Sequence, residues 1–525
     1  MNVTVASILE RSYRQYAGRP AVVCGERRLS YRELGERAHR FAARLRELGL
    51  QAGDRVVLLS GNRPEFFEFE HALFCGGFVR VAPSSRLHRR EISHIVADCG
   101  AKALVVESVW AQAAAQIRSE LADPGHVVVL DADGEQRPEG TLSYAQLLDS
   151  RASPEEPEPP PAAGDIAALL YTSGTTGAPK GAALTHANYV AMVRNSMTQL
   201  PPCDPGDVVL HLAPLSHFSG YVSPVFFAGG AAHVVMPHCE PPEALREIER
   251  RRVTGLTVVP AIINRLLPDA EERVADTSSL RLAVYAGSAI APDRLSRAVR
   301  ALGPVFVQFY GLSETPMPLT ALSQDDHAFE GEPPERLASA GRPCPFVELK
   351  VVDPDGDELP AGEVGEIVVR GDVVMAGYWG KPDETAEMIG SDGWAATGDL
   401  GRLDEEGYLY VVDRKKDMIV TGGYNVFPSE VENVISTLDA VAEVAVVGAP
   451  DERWGEALTA VVAPRPGRSV TRQEVVDVCR RNLADYKKPR TVEIVDEVPK
   501  TGSGKIMRRV VRDRYWEGLE RKIGG

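Results

Sequence analysis

Short apolar runs and amphipathic stretches take turns along most of the chain. RVVLLS, ALVVE, HVVVLDAD, IAALLYT, DVVLHLAP, HVVMP, LTVVPA and LRLAVYAG are brief and rich in β-branched residues, so they read as buried strands. Several lead into helical patterns such as PPEALREIERRR and APDRLSRAVRAL. Ser30 with Glu33 has the capping-box spacing that opens an amphipathic helix, carried through Leu48 and stopped at Gly49. This rhythm predicts an α/β fold of layered subdomains with largely parallel strands.

The pattern changes at three places. RASPEEPEPPPAAG, Arg151 to Gly164, is too rich in proline for a helix or a central strand and reads as an exposed connector. From about Phe346, VELKVVDPDGDELP, EVGEIVVRG and GYLYVVD alternate with Pro/Gly/Asp turns, which predicts a β-rich lobe over about 346–413. After Lys416 a smaller α+β unit follows, with SEVENVISTL, AEVAVVG, ALTAVVA, the helix TRQEVVDVCRRNL, TVEIVDEVP and a basic last helix. The expected organisation is a large N-terminal domain, 1–413, that includes the β-rich lobe, and a small C-terminal domain, 414–525.

Composition narrows the function classes. The 525 residues are 44% hydrophobic and 25% charged, and 58 basic against 74 acidic residues leave a net charge of −16. That balance argues against a bulk electrostatic grip on nucleic acid or an anionic membrane, so any bound anion needs a local site. Seven cysteines stand singly with no C-x-x-C pair, which suggests reduced thiols rather than a disulfide framework or zinc site. The N-terminal stretch lacks a secretory pattern, and no apolar run reaches the ~18 residues of a membrane span, so a cytoplasmic protein is expected.

The chemistry concentrates in YTSGTTGAPKGAALTH, Tyr171 to His186. Glycine-freed backbone N–H groups, the hydroxyls of Thr172, Ser173, Thr175 and Thr176, and the Lys180 ammonium form a donor set suited to a polyphosphate. A strand is expected to lead in and a helix, capped by Thr185, to lead out. It is not a Walker P-loop: Gly174 and Gly177 are three apart, and Lys180 is followed by Gly181. TGSGK, Thr501 to Lys505, fails the same pattern because position 499 is Pro and Ile follows the lysine.

These residues resemble the adenylate-forming superfamily, which includes acyl- and aryl-CoA ligases, peptide-synthetase adenylation domains and beetle luciferases. Beside the loop signature, APLSHFSG, YAGSAIAP, YGLSET, TGDLGRLDEEGYLYVVDRKKDMI, GGYNVFPSEVE and PKTGSGKIMR follow in the family's order. The resemblance covers nearly the whole chain. It implies ATP-driven adenylation of a carboxylate with loss of pyrophosphate, then attack on the acyl-adenylate by a thiol. Such chemistry depends on positioning and charge neutralisation.

By this resemblance Thr172, Ser173, Gly174, Thr175, Thr176, Gly177 and Lys180 would hold the β- and γ-phosphates of ATP. Glu314 would ligate Mg²⁺, Thr315 would lie near the α-phosphate, and Tyr310 and Gly311 of the same motif would border the nucleotide. Gly287, Ser288 and Ala289 would lie along the adenine, although a strand-end turn explains them nearly as well. Asp399 would accept the ribose hydroxyls, with an Asx-type turn as its other reading, and Arg414 would be the second ribose contact. Tyr408 and Tyr410 should share a strand face, either reaching the nucleotide or packing in the lobe. Lys505 would bridge the attacking carboxylate and the α-phosphate. Since Lys505 belongs to the C-terminal domain, that domain would be mobile, with its hinge at Lys416.

The acceptor expected is CoA. DERWGEALTAVV and ADYKKPR resemble the CoA-ligase branch, with Gly423 lining the thiol tunnel and Trp454, Lys487 and Lys488 near the CoA nucleotide. Arg86 matches a phosphate contact of some relatives, although Ser84 stands where Asn is usual. A carrier-protein thiol, an amine, or nitrite in diazotisation of an amino-aryl acid are the alternative acceptors. A free-standing ligase is expected, and His217 would gate between the acyl and thiol channels. The acyl-site stretches HFSGYVSPVFF, VPAIIN and GLSETPMPLTA offer, beyond His217 and Glu314, no charged group to grip a second charge, which favours an apolar or aromatic monocarboxylic acid.

Overall fold

Apolar runs that are buried on both faces become parallel strands, because helices can then cover each side of the sheet. The computed structural model describes residues 3–123, 125–130, 137–149, 159–172, 179–237, 240–500 and 506–517. Two compact units emerge, one of Met1–Leu349 with Val369–Ala395 and the other of Lys350–Val368 with Ala396–Gly525. Among the described residues the first unit holds a nine-stranded and an eight-stranded sheet. The middle of the larger one runs Phe306–Tyr310, Leu282–Tyr285, Gly255–Val258, Val208–His211, Ala232–Val235, all parallel. In the other, Val79–Val81, Arg55–Leu59, Ala103–Glu107 and His126–Leu130 are parallel, and Ile166–Thr172 lies beside Val79–Val81.

The helix Pro64–Gly76 is buried nearly all round, with Phe66, Phe67, Phe69 and Phe74 in the core beside Phe41 and Phe227. A helix with no solvent face must pair its polar residues internally. Glu65 and Glu68 therefore meet Arg27, Glu68 also meets Arg37, and His71 Nδ1 lies 2.7 Å from the Tyr13 hydroxyl. The predicted capping box is present: Ser30 and Glu33 cap Tyr31–Glu47 reciprocally, an arrangement worth about 1 kcal/mol.

The phosphate-loop segment departs from expectation. The strand Lys180–Thr185 pairs antiparallel with Ile166–Thr172, with Thr172 opposite Lys180, so a second strand of the same sheet precedes the helix. The small residues of GAALT fit a crowded, buried strand, and Thr185 then caps His186–Gln199 as predicted.

In the second unit, Gly365–Arg370, Ala395–Leu403 and Leu409–Arg414 belong to a four-stranded sheet. A five-stranded sheet is built on the hairpin Val441–Asp451 with Gly455–Pro464, and the helices Pro428–Ile435 and Arg472–Asn482 pack on its core. The β-rich lobe, assigned by sequence to the large domain, mostly groups here with the C-terminal residues. Asp413 fastens it there, since its carboxylate accepts from the Ser429 N–H and from Arg508. The last helix is short, Arg508–Asp513.

Candidate active site

Thr172 ends its strand at the mouth of the loop, and its hydroxyl donates to Glu314 Oε1 at 3.4 Å. The Tyr378 hydroxyl donates to the same oxygen at 2.9 Å, and the Glu314 carbonyl accepts from the Met375 N–H. The Lys180 ammonium lies 5.4 Å from the Tyr378 ring centre and 4.0 Å from a Glu384 oxygen. One carboxylate, two hydroxyls and one ammonium thus lie together at the paired strand ends Thr172 and Lys180. Thr315 is fully buried, and its hydroxyl has no partner among the described residues. Ser173, Gly174, Thr175, Thr176 and Gly177 lie outside the described residues.

Gly287, at φ +95°, Ser288 and Ala289 are exposed directly beyond the strand Leu282–Tyr285. Tyr310 ends the neighbouring strand, and a Cβ on Gly311 would meet the Met317 backbone at 2.7 Å, so only glycine fits there. His217 precedes the helix Phe218–Gly229, with Nδ1 2.9 Å from the Ser216 hydroxyl. Burial, and then the charge of Arg80, push its pKa down to about 4, so the ring is neutral at pH 7.

In the second unit Asp399 and Arg414 face each other across the antiparallel pair, with Nε 2.7 Å from Oδ1. Asp399 is a strand residue, which removes the Asx-turn reading; its N–H donates to Thr397 Oγ1. Tyr408 is buried and Arg402 stacks 4.2 Å from the Tyr410 ring centre, so both tyrosines pack inside this unit. Lys416 sits in the short turn Lys415–Asp417. Gly422, at φ +58°, donates to the Trp454 carbonyl, and a Cβ there would strike the indole at 2.6 Å. Gly423, at φ +83°, faces open space. Arg453 and Arg490 lie 4.7 and 4.6 Å from the Trp454 ring centre. Lys487 is paired with Glu430 and Lys488 with Asp485, while Arg86 is exposed. Lys505 lies outside the described residues, but the flanks of its loop are fixed by the bridge Lys500↔Ile506 and the Met507 N–H to Pro499 carbonyl bond.

Residues 9–379 match the family model described as AMP-binding enzyme, and 430–505 match the AMP-binding enzyme C-terminal domain. The chain belongs to the AMP-binding enzyme family. It is 36% identical to the medium/long-chain-fatty-acid–CoA ligase FadD8 of Mycobacterium tuberculosis, over 98% of this chain and 91% of that protein. It is also 36% identical to the fatty acid–[acyl-carrier-protein] ligase ScoC of Streptomyces coeruleorubidus, over 96% and 95%. ATP-bound MatB from Rhodopseudomonas palustris superposes with a TM-score of 0.86 at 30% identity, covering 99% of this chain and 100% of that one. Among the described residues no helix is long and apolar enough to cross a membrane.

Two groups of this AMP-binding enzyme escape sequence reasoning. Tyr378 holds Glu314 from the short strand Gly377–Tyr378, which carries no chemical signature of its own. The signal available was an aromatic pair between Gly377 and Gly380. Near His217 the structure also places a cation that the acyl-site stretches do not contain. Arg80, from Val79–Val81, donates Nη2 to the Leu215 carbonyl at 3.4 Å and lies with Nε 2.7 Å from Glu70 Oε1. A charged residue inside each of two apolar runs, FVRVA and FFEFEHALF, was the only hint.

Proposed function

We propose that this AMP-binding enzyme is an ATP-dependent carboxylic acid:CoA ligase that activates an apolar or aromatic monocarboxylic acid as acyl-AMP, then forms the CoA thioester. The observation that carries the reading is the Glu314 carboxylate, held by Thr172 and Tyr378, with Lys180 near the same tyrosine ring. Carboxylate and hydroxyl oxygens are the hard donors Mg²⁺ prefers, so Glu314 would hold it. Bound there, the ion neutralises phosphate charge. Lys180 and residues 172–177 grip the phosphates, Thr315 offers its unpartnered hydroxyl near the α-phosphate, and Gly287, Ser288, Ala289, Tyr310 and Gly311 border the adenosine.

Asp399, oriented by Arg414, accepts the ribose hydroxyls, Lys505 serves the adenylation step, and Lys416 is the hinge. A neutral His217 suits a gate between acyl and thiol channels. Trp454 between two arginines, with Gly423 open beside it in sequence to Gly422, suits the CoA nucleotide and pantetheine. The names of relatives divide on the acceptor, CoA for FadD8 and a carrier protein for ScoC. The reading places the enzyme in the cytoplasm with its reduced thiols. Purified protein is incubated with ATP, Mg²⁺, a panel of acids and CoA, a carrier protein, an amine or nitrite, and products are read by mass spectrometry. A CoA thioester with AMP is expected. AMP with a different acyl or diazo product overturns the acceptor alone, and absent pyrophosphate exchange across the panel overturns adenylation itself.

A further inference from the structure

Three helices of the first unit, Val5–Gln15, Tyr31–Glu47 and Pro64–Gly76, pack against one another. Gly35 lets the first two close up, since a Cβ there would strike the Tyr13 ring at 2.8 Å. Tyr13 in turn reaches the third helix, with its hydroxyl 2.7 Å from His71 Nδ1. One helical turn along from Tyr13, Gly35 and His71 stand Glu10, His39 and Cys75, on the same helix faces. The packing therefore gathers a carboxylate, an imidazole and a thiol from three separate helices. His39 Nε2 lies 2.5 Å from Glu10 Oε1, and the ligand atoms of all three residues lie within 4.8 Å of one another. Among the described residues no other trio of histidine, cysteine and carboxylate ligand atoms is this close. The Tyr13 ring stands edge-on to the His39 ring, with centres 6.0 Å apart at 88°, and so steadies the plane of the imidazole.

We propose that Glu10, His39 and Cys75 form a site for one Zn²⁺ ion, held through Oε1, Nε2 and Sγ with water as the fourth ligand. A thiolate, an imidazole and a carboxylate make the mixed soft and hard donor set that zinc accepts, whereas Mg²⁺ takes oxygen ligands. Cys75 is half-buried, and the side chains of Glu10 and His39 are 33% and 52% exposed, so water can reach the fourth position. The site goes beyond the adenylation reading and stands without it.

Such an ion needs no separate cavity, because it takes the place of the protons that now lie among the three ligand atoms. Ligand atoms around tetrahedral zinc sit about 3.3–3.8 Å apart, so the imidazole and carboxylate must part by about 1 Å. Two partly exposed side chains can make that movement by rotation. In the metal-free chain, burial and then the Glu10 carboxylate keep the Cys75 thiol protonated. Binding releases that proton to solvent, and the imidazole carries its own proton on Nδ1. The Glu10 carboxylate and the thiolate then balance the two charges of the ion. No local spacing announces the site, since it has no C-x-x-C pair and draws one ligand from each of three helices. Zinc bound there clasps these helices to one another and stabilises the folded chain.

Co²⁺ is the probe, because its coordination by a thiolate is visible in the near-ultraviolet. The full chain is stripped of metal by chelation, desalted into excess Mg²⁺ so that sites built of oxygen ligands are filled, and titrated with Co²⁺ and then Zn²⁺. A cobalt–thiolate band that saturates at one equivalent and is bleached by one equivalent of Zn²⁺ is expected, with a higher melting temperature in Zn²⁺ than in Mg²⁺ alone. Cys75→Ala should abolish the band. His39→Gln and Glu10→Gln, both at partly exposed positions, should each weaken Zn²⁺ binding by about tenfold or more, since losing even a group that only orients a ligand costs roughly 10–100-fold. Urea unfolding confirms that each variant folds. A band absent from the natural protein, a band retained in Cys75→Ala, or Zn²⁺ affinity unchanged in both His39→Gln and Glu10→Gln would overturn the site.

Discussion

The Tyr378 hydroxyl donates to Glu314, so on the proposed reading its role would be to aim one carboxylate oxygen. Removing such a supporting hydrogen bond weakens metal binding by roughly 10–100-fold in general. Tyr378→Phe should therefore raise the Mg²⁺ concentration needed for half-maximal pyrophosphate exchange by about tenfold, with the rate recovered at saturating Mg²⁺. A rate depressed equally at every Mg²⁺ concentration would mean damage to packing and would remove the positioning role. Glu314, by contrast, is singled out in the sequence by the YGLSET motif, whereas Tyr378 enters through a contact that only the folded chain creates. For Asp399 the sequence offered an Asx turn as the alternative to a ribose ligand, and strand register opposite Arg414 decides against the turn.

Strands and helices were the most legible scale, because continuous apolar runs announce burial on both faces. LRLAVYAG is trimmed at both ends to Leu282–Tyr285, and ALVVE appears whole as Ala103–Glu107. Lys180–Thr185 was missed because small residues after a lysine carry no strand propensity of their own. Register also brings buried histidines together: His211 on Val208–His211 meets His233 on Ala232–Val235 at 2.9 Å, and His211 Nδ1 meets Ser219 at the same distance. Burial holds His71 and His211 down to about 3 and His186, His217 and His327 down to about 4. The folded chain thus binds fewer protons than the unfolded one below pH 6.5. Stability is intact above that pH and is lost as pH falls toward 4, each histidine contributing up to about 1.4 kcal/mol per pH unit. His327→Gln, which leaves the Tyr285 hydroxyl a partner, should make the pH dependence of the urea midpoint shallower between 6.5 and 4. An unaltered slope would show that His327 is already neutral-to-charged in step with the unfolded state.

At the scale of the whole molecule, the groups proposed for adenylation are divided between the two units: Thr172, Lys180 and Glu314 in one, Asp399, Arg414 and Lys505 in the other. The sequence drew its boundary by the change of rhythm near 413, whereas the Asp413 contacts to Ser429 and Arg508 tie most of the β-rich lobe to the C-terminal residues. Long-range side-chain pairs of that kind leave no local pattern to read. The arginines after Lys505 have structural partners, Arg508 with Glu432 and Asp413, and Arg512 with Asp417, so they anchor the short helix that follows the loop. On the proposed reading Lys505 would differ from them: it would stabilise charge as the carboxylate attacks the α-phosphate, a role confined to the first half-reaction. Lys505→Ala should lower acid-dependent pyrophosphate exchange by about 10²–10³-fold, the usual scale for losing one transition-state charge contact. Thioester formation from chemically supplied acyl-adenylate and CoA should stay near the natural rate, because phosphorus chemistry is by then complete. The two rates are measured on the same preparation, with urea midpoints confirming equal folding. Loss of both half-reactions to the same extent would deny Lys505 its separate role and leave the loop a general support for the C-terminal unit.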